Sequence, residues 1–131
     1  MEYTEITEKI IGCAYKVYNN LGPGFLESVY EKCMAIEFEK IALHAVFQQP
    51  LNVFYEGQQV GNYTADILVE EKVIVELKAV RTLIAAHEVQ LVNYLVATKV
   101  PIGLLINFGE TKVEVKRKVR TLPLNHPPLS C

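Results

Sequence analysis

An aspartate, a glutamate and a lysine stand close together in the stretch ADILVEEKVIVELKA, residues 65–79, at Asp66, Glu76 and Lys78. The residues around them are mostly apolar, so the three charges sit in chain that otherwise favours burial. Two carboxylates offer hard oxygen donors of the kind that suit Mg²⁺ or Mn²⁺, ions that keep part of their shell as water. An ammonium group two residues from one acid can steer such a water or offset charge on a phosphate. Cation binding with activation of a bound water is therefore a chemistry this trio could support. The plain alternative is an ion pair between Glu76 and Lys78 on a solvated face, with Asp66 as one more surface acid.

Whether the acids can meet depends on the register of a β-hairpin. With Glu70-Glu71-Lys72 as a three-residue loop, Val69 faces Val73, Ile67 faces Val75 and Asp66 faces Glu76. One side of the hairpin is then wholly apolar: Ile67, Val69, Val73, Val75 and Leu77. The other carries Asp66, Leu68, Ile74, Glu76 and Lys78. A two-residue loop would mix these faces, and the hydrophobic pattern argues against it. In the favoured register the two carboxylates stand across a strand pair with Cβ atoms roughly 4.5–5.5 Å apart, an arrangement that repels unless a cation lies between them.

The elements that must position this hairpin follow from periodicity. Apolar residues at Ile6, Ile10, Cys13, Ala14, Val17 and Leu21 predict a helix from Thr4 to Leu21, with capping chemistry offered by Thr4, Thr7 and Glu8. Gly22-Pro23-Gly24 breaks the chain. A second helix is expected over about Phe25–Ile41, with Leu26, Val29, Tyr30, Cys33, Met34 and Ile36 on its apolar side. Val46 to Tyr55 reads as a strand, placed at a sheet edge by Pro50. Val60 to Val69 and Val73 to Val80 are the next strands. Ala85 to Thr98 is a third helix packing through Val89, Leu91, Val92, Leu95 and Val96. The run IGLLINF, residues 102–108, suits a central strand, and Val113, Val115 and Val119 alternate with charge in a last one. The order is α-α-β-β-β-α-β-β: an α/β chain with a mixed sheet flanked by helices, the last helix making a crossover. Residues 1–122 form one domain in this reading, followed by an irregular tail over 123–131.

The chain has 131 residues, half of them hydrophobic, enough for one real core. Its formal net charge of −2 does not announce a nucleic-acid binder on global electrostatics. Basic residues do collect late: Lys116, Lys118 and Arg120 share a strand face that could touch phosphates or could serve as a solvated edge. Cys13, Cys33 and Cys131 are odd in number and without CxxC spacing, which gives no support to a disulfide framework or an iron–sulfur site and points to a reducing cytoplasm. Cys13 and Cys33 fit buried, small hydrophobic positions. The acidic, polar start MEYTEITEK is unlike a signal peptide, and no apolar run reaches the ~18 residues of a membrane span.

The spacing D-x₉-E-x-K on a hairpin, with a helix before and a helix after, resembles the PD-(D/E)XK nuclease superfamily. Within it, GFLESVY, with Gly24, Glu27 and Tyr30, resembles the signature of the GxxExxY protein family. LGPGFLESVYEK, GNYTADILVE, VIVELKAV, QLVNYL and GLLINFG are similar to that family as well, and the likeness runs from about Ile6 to Arg120. It implies a restriction-endonuclease-like fold and a metal-dependent phosphodiesterase using Mg²⁺ or Mn²⁺. Asp66 and Glu76 would be metal ligands, Lys78 the catalytic lysine, and Glu27 a further ligand, directly or through water. Alanine occupies position 65, where the motif nominally has proline. Gln90 and Tyr94, in QLVNY, resemble the Q-x-x-x-Y motif of the RecB-like exonuclease branch, which positions the site or the nucleic-acid strand. Gln90 joins the catalytic set; Tyr94, His87 one turn earlier, Tyr30 and Arg81 support the site or the nucleic acid.

Each supporting residue has a plainer reading. Glu27 could be a surface glutamate, and His87 and Tyr94 could be packing residues with polar tips. The implied partner is nucleic acid, DNA ahead of RNA, with a homodimer or a partner subunit adding grip and with no membrane. Two other functions compete: a catalytically silent interaction module on the same fold, and a metal-dependent hydrolase of nucleotides.

Overall fold

The computed structural model describes residues 3–120. The element order is α1 (Thr4–Leu21), α2 (Glu27–Lys40), β1 (Ala45–Tyr55), β2 (Gln58–Val69), β3 (Val73–Lys78), α3 (Ala85–Thr98), β4 (Ile102–Phe108) and β5 (Val113–Val119). The α-α-β-β-β-α-β-β order expected from periodicity is the one found. The tail over 123–131, with Cys131, lies outside the described residues.

The five strands lie side by side in chain order. The pairs β1–β2, β2–β3 and β4–β5 are antiparallel, while β3 and β4 run parallel because α3 carries the chain back across the sheet. This is the mixed-sheet α/β architecture of the restriction-endonuclease-like fold. One side of the sheet is covered by α1 and α2. Ile10, Ala14, Val17, Tyr30, Met34 and Phe38 pack there on Ile67, Val75, Leu77, Leu104 and Ile106. The other side is covered by α3, whose Leu91 and Leu95 meet Tyr63, Ala65, Ile74 and Leu105. Strand β4, sandwiched between the two, is buried at all seven positions, which is why its sequence shows no alternation.

Several expected contacts differ. The threonines do not cap α1: Tyr3 occupies the N-cap position without a side-chain bond, and the Thr7 hydroxyl donates to the Thr4 carbonyl at 3.0 Å. Helix α2 starts at Glu27 because Leu26 is still extended. Leu26 and Ile36, assigned to its apolar side, are exposed; Glu37, buried, stitches the helices together by salt bridges to Lys16 of α1 at 3.0 Å and Lys40 at 3.2 Å. On α3, Val89 and Val96 are exposed although the pattern assigned them to packing. The buried stripe of that helix is confined to Leu91 and Leu95. Cys13 is buried and Cys33 partly so, both free thiols.

Strand β1 forms the edge, as Pro50 predicted, and pairs only with β2. Midway along this pair the ladder is interrupted. Phe47 pairs with Ile67 and Gln49 with Ala65, but Gln48 and Asp66 between them do not pair, and Gln48 has φ 54°. The interruption turns β2 over. Ile67 and Val69 face α1 and α2, whereas Ala65 and Tyr63, which strict alternation would place on the same side, face α3. Leu51 and Phe47 of β1 are divided in the same way. Asp66 therefore sits at the point where the sheet reverses its faces.

Helix α3 comes close to the sheet at Gly103 in β4. A Cβ added there would stand 3.0 Å from Cγ, Cδ1 and Cδ2 of Leu91. Gly103→Ala is expected to destabilise the chain by about 1–3 kcal/mol through overpacking, read as a lower urea midpoint with an unchanged m-value. A midpoint equal to that of the wild type would show that Leu91 yields without strain.

Candidate functional site

The hairpin has the predicted register. Val69 pairs with Val73, Leu68 with Ile74 and Ile67 with Val75, around the loop Glu70-Glu71-Lys72. The Lys72 N–H donates to the Val69 carbonyl at 2.9 Å, and Glu70 and Glu71 adopt positive φ. The ladder stops at Ile67 and Val75, one step before the acids. Asp66 and Glu76 are thus not a simple cross-strand pair. Instead each carboxylate takes a backbone N–H from the opposite strand. Glu76 Oε2 accepts from Asp66 N at 3.2 Å, and Asp66 Oδ2 accepts from Leu77 N at 2.8 Å. This reciprocal hold replaces the missing ladder bonds and satisfies the splayed backbone. It engages one oxygen of each acid. Oδ1 of Asp66 and Oε1 of Glu76 accept no hydrogen bond from the described residues.

A second donor fixes Glu76. The hydroxyl of Tyr63 donates to the same oxygen, Oε2. Tyr63 reaches it because β2 has turned over, so its ring lies on the α3 side, where Glu76 also projects. Burial pushes the Glu76 carboxyl up to about 7, and the charge of Asp66 pushes the same way, against the two hydrogen bonds and Lys78. Burial holds the Tyr63 phenol well above its usual range, helped by the charge of Glu76, so it remains a donor.

Around Glu76 lies a small pocket of about 80 Å³, lined by Tyr63, Glu76, Lys78, His87, Gln90 and Tyr94 among others. Five side chains selected from the sequence thus come together here: Glu76, Lys78, His87, Gln90 and Tyr94. Glu76 and Lys78 do not form the surface ion pair that was the plain alternative. Gln90 Nε2 lies 3.5 Å from the Tyr94 hydroxyl. The Tyr94 ring stacks on Tyr63 with centroids 3.5 Å apart and planes 9° apart. His87 also acts locally, its Nδ1 accepting the Ile84 N–H at 3.4 Å at the start of α3.

On the opposite side of the hairpin, α2 brings further acids. Glu27 is exposed in its first turn. Glu31, one turn later and not singled out from the sequence, accepts a hydrogen bond from Gln48 Nε2 at 2.9 Å. Burial raises the Glu31 carboxyl, and the charges of Asp66 and Glu27 raise it further, so the field of all three is shared. No group of three or more His, Cys, Asp or Glu among the described residues is gathered closely enough to hold a metal on its own. Asp66 and Glu76 accordingly stand as a pair, and Glu27 is not gathered with them.

Tyr30 and Arg81 lie away from the acids. Tyr30 is fully buried. Its hydroxyl donates to the Gly22 carbonyl at 2.6 Å and accepts the Phe25 N–H at 3.3 Å, while its ring stacks on Phe108 at 4.1 Å. It fastens the Gly22–Leu26 link that launches α2. Arg81 pairs with Glu110 at 3.3 Å on the rim of a cleft of about 610 Å³ between that link and the ends of β3 and β4. Lys118 is engaged with Glu88 of α3 at 2.6 Å, so it is not a free phosphate contact. Asn107, also missed, is fully buried. Its Nδ2 donates to the Val80 carbonyl at 2.8 Å and its Oδ1 accepts the Val80 N–H at 2.9 Å, clamping the chain just past Lys78.

The donor set fits a hard divalent cation in its chemistry. Two carboxylates are brought together by their backbone bonds, each with one oxygen left over, and burial beside Asp66 raises the Glu76 carboxyl. A family model described as the PD-(D/E)XK nuclease superfamily matches residues 4–118. No curated protein and no solved structure matches the chain. No helix among the described residues is long and apolar enough to cross a membrane.

The folded chain holds the Glu76 proton more tightly than the unfolded chain does. Its contribution to stability is therefore largest below the ordinary glutamate value of 4.5 and is lost as pH rises through about 7. Melting the metal-free protein across that window is expected to show falling stability, and Glu76→Gln is expected to flatten the fall. Parallel pH curves for the two proteins would mean that Glu76 ionises freely.

Proposed function

The chain belongs to the PD-(D/E)XK nuclease superfamily, and from that premise we propose that it is a divalent-metal-dependent nuclease hydrolysing phosphodiester bonds, DNA ahead of RNA. The observation that carries the reading is the reciprocal hold of Asp66 and Glu76, which engages one oxygen of each acid and leaves the other over, with Lys78 lining the same pocket as Glu76. In this reading Asp66 and Glu76 hold the cation, Mg²⁺ or Mn²⁺. Bound there, the ion would acidify a coordinated water and offset charge on the scissile phosphate.

The chain's own residues supply the rest. Lys78 leaves the same side of β3 as Glu76, so its ammonium can meet a phosphate oxygen or orient the attacking water. The Asn107 clamp on Val80 keeps the end of β3 from fraying and so limits where Lys78 can reach. Gln90, held near Tyr94, presents an amide to the same pocket and keeps its polar wall in place. Glu27 and Glu31 stand beyond Asp66 on α2, from where they can bind the cation through water. Arg81 and the cleft beside it offer a path for flanking nucleotides, with the Glu110 pair opening to release the guanidinium. Tyr30 acts from within the core by fixing the start of α2.

The finer assignments belong to the same proposal: membership of the RecB-like branch and the GxxExxY family, a cytoplasmic setting, and a homodimer or partner subunit adding grip on the nucleic acid. The small basic surplus around β5, with Lys118 already paired, supports the need for such a partner.

Purified protein should be incubated with linear and circular, single- and double-stranded DNA and RNA in Mg²⁺ or Mn²⁺. Lys78→Ala and Asp66→Ala are each expected to slow cleavage by about 10²-fold or more. Cleavage that survives both changes would come from a contaminant. Calorimetry showing no divalent binding, together with no cleavage, would favour an interaction module that keeps the fold without the chemistry.

A further inference from the structure

We propose that Tyr63 is a positioning residue for the site, setting which oxygen of Glu76 faces the cation, and that Tyr94 acts on Glu76 through Tyr63. The proposal rests on reading Glu76 as a cation ligand. It gives a role to a tyrosine outside the D-x₉-E-x-K and Q-x-x-x-Y spacings, and makes the Q-x-x-x-Y tyrosine a mechanical support.

The geometry is specific. Glu76 has two donors, the Asp66 N–H and the Tyr63 hydroxyl, and both bind Oε2. A carboxylate oxygen has two lone-pair directions, so Oε2 is fully engaged and Oε1 is turned the other way. One donor alone would leave the carboxylate free to swivel about it. Two donors from different atoms of β2 fix the plane of the group, as partners of a ligand do when they set its orientation.

Tyr63 can do this because its own ring is held. It is 8 % exposed and lies flat against Tyr94. Tyr94 in turn is built into α3, its carbonyl accepting the Thr98 hydroxyl at 2.7 Å. The chain of contacts therefore runs from the α3 backbone through two stacked rings to one carboxylate oxygen. Packing alone explains the burial of Tyr63 among Leu91, Leu95 and Leu105. It does not require the hydroxyl to end on Glu76, and the hydroxyl is what the test removes.

Tyr63→Phe keeps the ring, the stack and the burial. Mn²⁺ affinity of the substrate-free protein should be measured by calorimetry, with apo stability measured alongside. Tyr63→Phe is expected to weaken Mn²⁺ binding by about 10-fold or more, within the 10–100-fold range typical of residues that orient ligands. Tyr94→Leu, which fills space without the flat stack, should weaken it in the same direction, in protein whose circular dichroism is unchanged. A merely structural tyrosine would alter the melting midpoint and leave Mn²⁺ affinity in place. Tyr63→Phe that binds Mn²⁺ as the wild type does overturns the proposal while Glu76 stands as a ligand. A wild type that binds no Mn²⁺, or a Glu76→Gln that binds it undiminished, overturns the reading of the site itself and this proposal with it.

Discussion

The structure turns on two backbone amides that do not find partners in the sheet. At Asp66 and Glu76 the β2–β3 ladder has ended, yet the Asp66 and Leu77 N–H groups remain partly buried and must be satisfied. The acids satisfy them, each from the opposite strand. Charge is thereby drawn into a half-buried position that an ordinary strand would fill with valine. The bonds to charged oxygens are stronger than the ladder bonds they replace, but they leave two carboxylates facing one another. What the backbone gains in satisfaction, the site carries as electrostatic tension, which the proposed cation would relieve.

The turnover of β2 makes this possible. A strand with unbroken alternation would send Tyr63 to the α1–α2 side and Glu76 to the α3 side, with the sheet between them. The left-handed Gln48 and the skipped pair at Asp66 put both on one side. They also place Asp66 where its charge reaches both Glu31 of α2 and Glu76 of β3. The same irregularity that interrupts the sheet thus lets it collect polar groups from both of its covering layers.

Much of this was legible in the sequence. Period-two alternation around EEK set the hairpin register, since a two-residue loop mixes apolar and polar faces. The buried run 102–108 marked an interior strand, and the type and spacing of Asp66, Glu76 and Lys78 singled them out as candidates. The reciprocal bonds were not, because they depend on where a ladder stops, and pattern carries no such information. Tyr63 was hidden for a related reason: alternation assigns it to the wrong face, and only the irregularity at Asp66 corrects it. Glu31 and Asn107 were missed because a helix acid and a strand amide acquire meaning from their partners, Gln48 and Val80, which are distant in the chain. Val89 and Val96 misled in the opposite sense, since helical periodicity identifies an apolar stripe wider than the sheet beneath it can cover.

The Tyr30 latch bears on how α2 responds to load. Its ring lies on Phe108 of β4, and its hydroxyl ties down both ends of the link preceding its own helix. The acid-bearing start of α2 and the end of β4 are therefore tied together. On the proposed reading, an approaching ion would meet a frame whose spacing is already set, so its radius would matter more than how far the protein flexes around it.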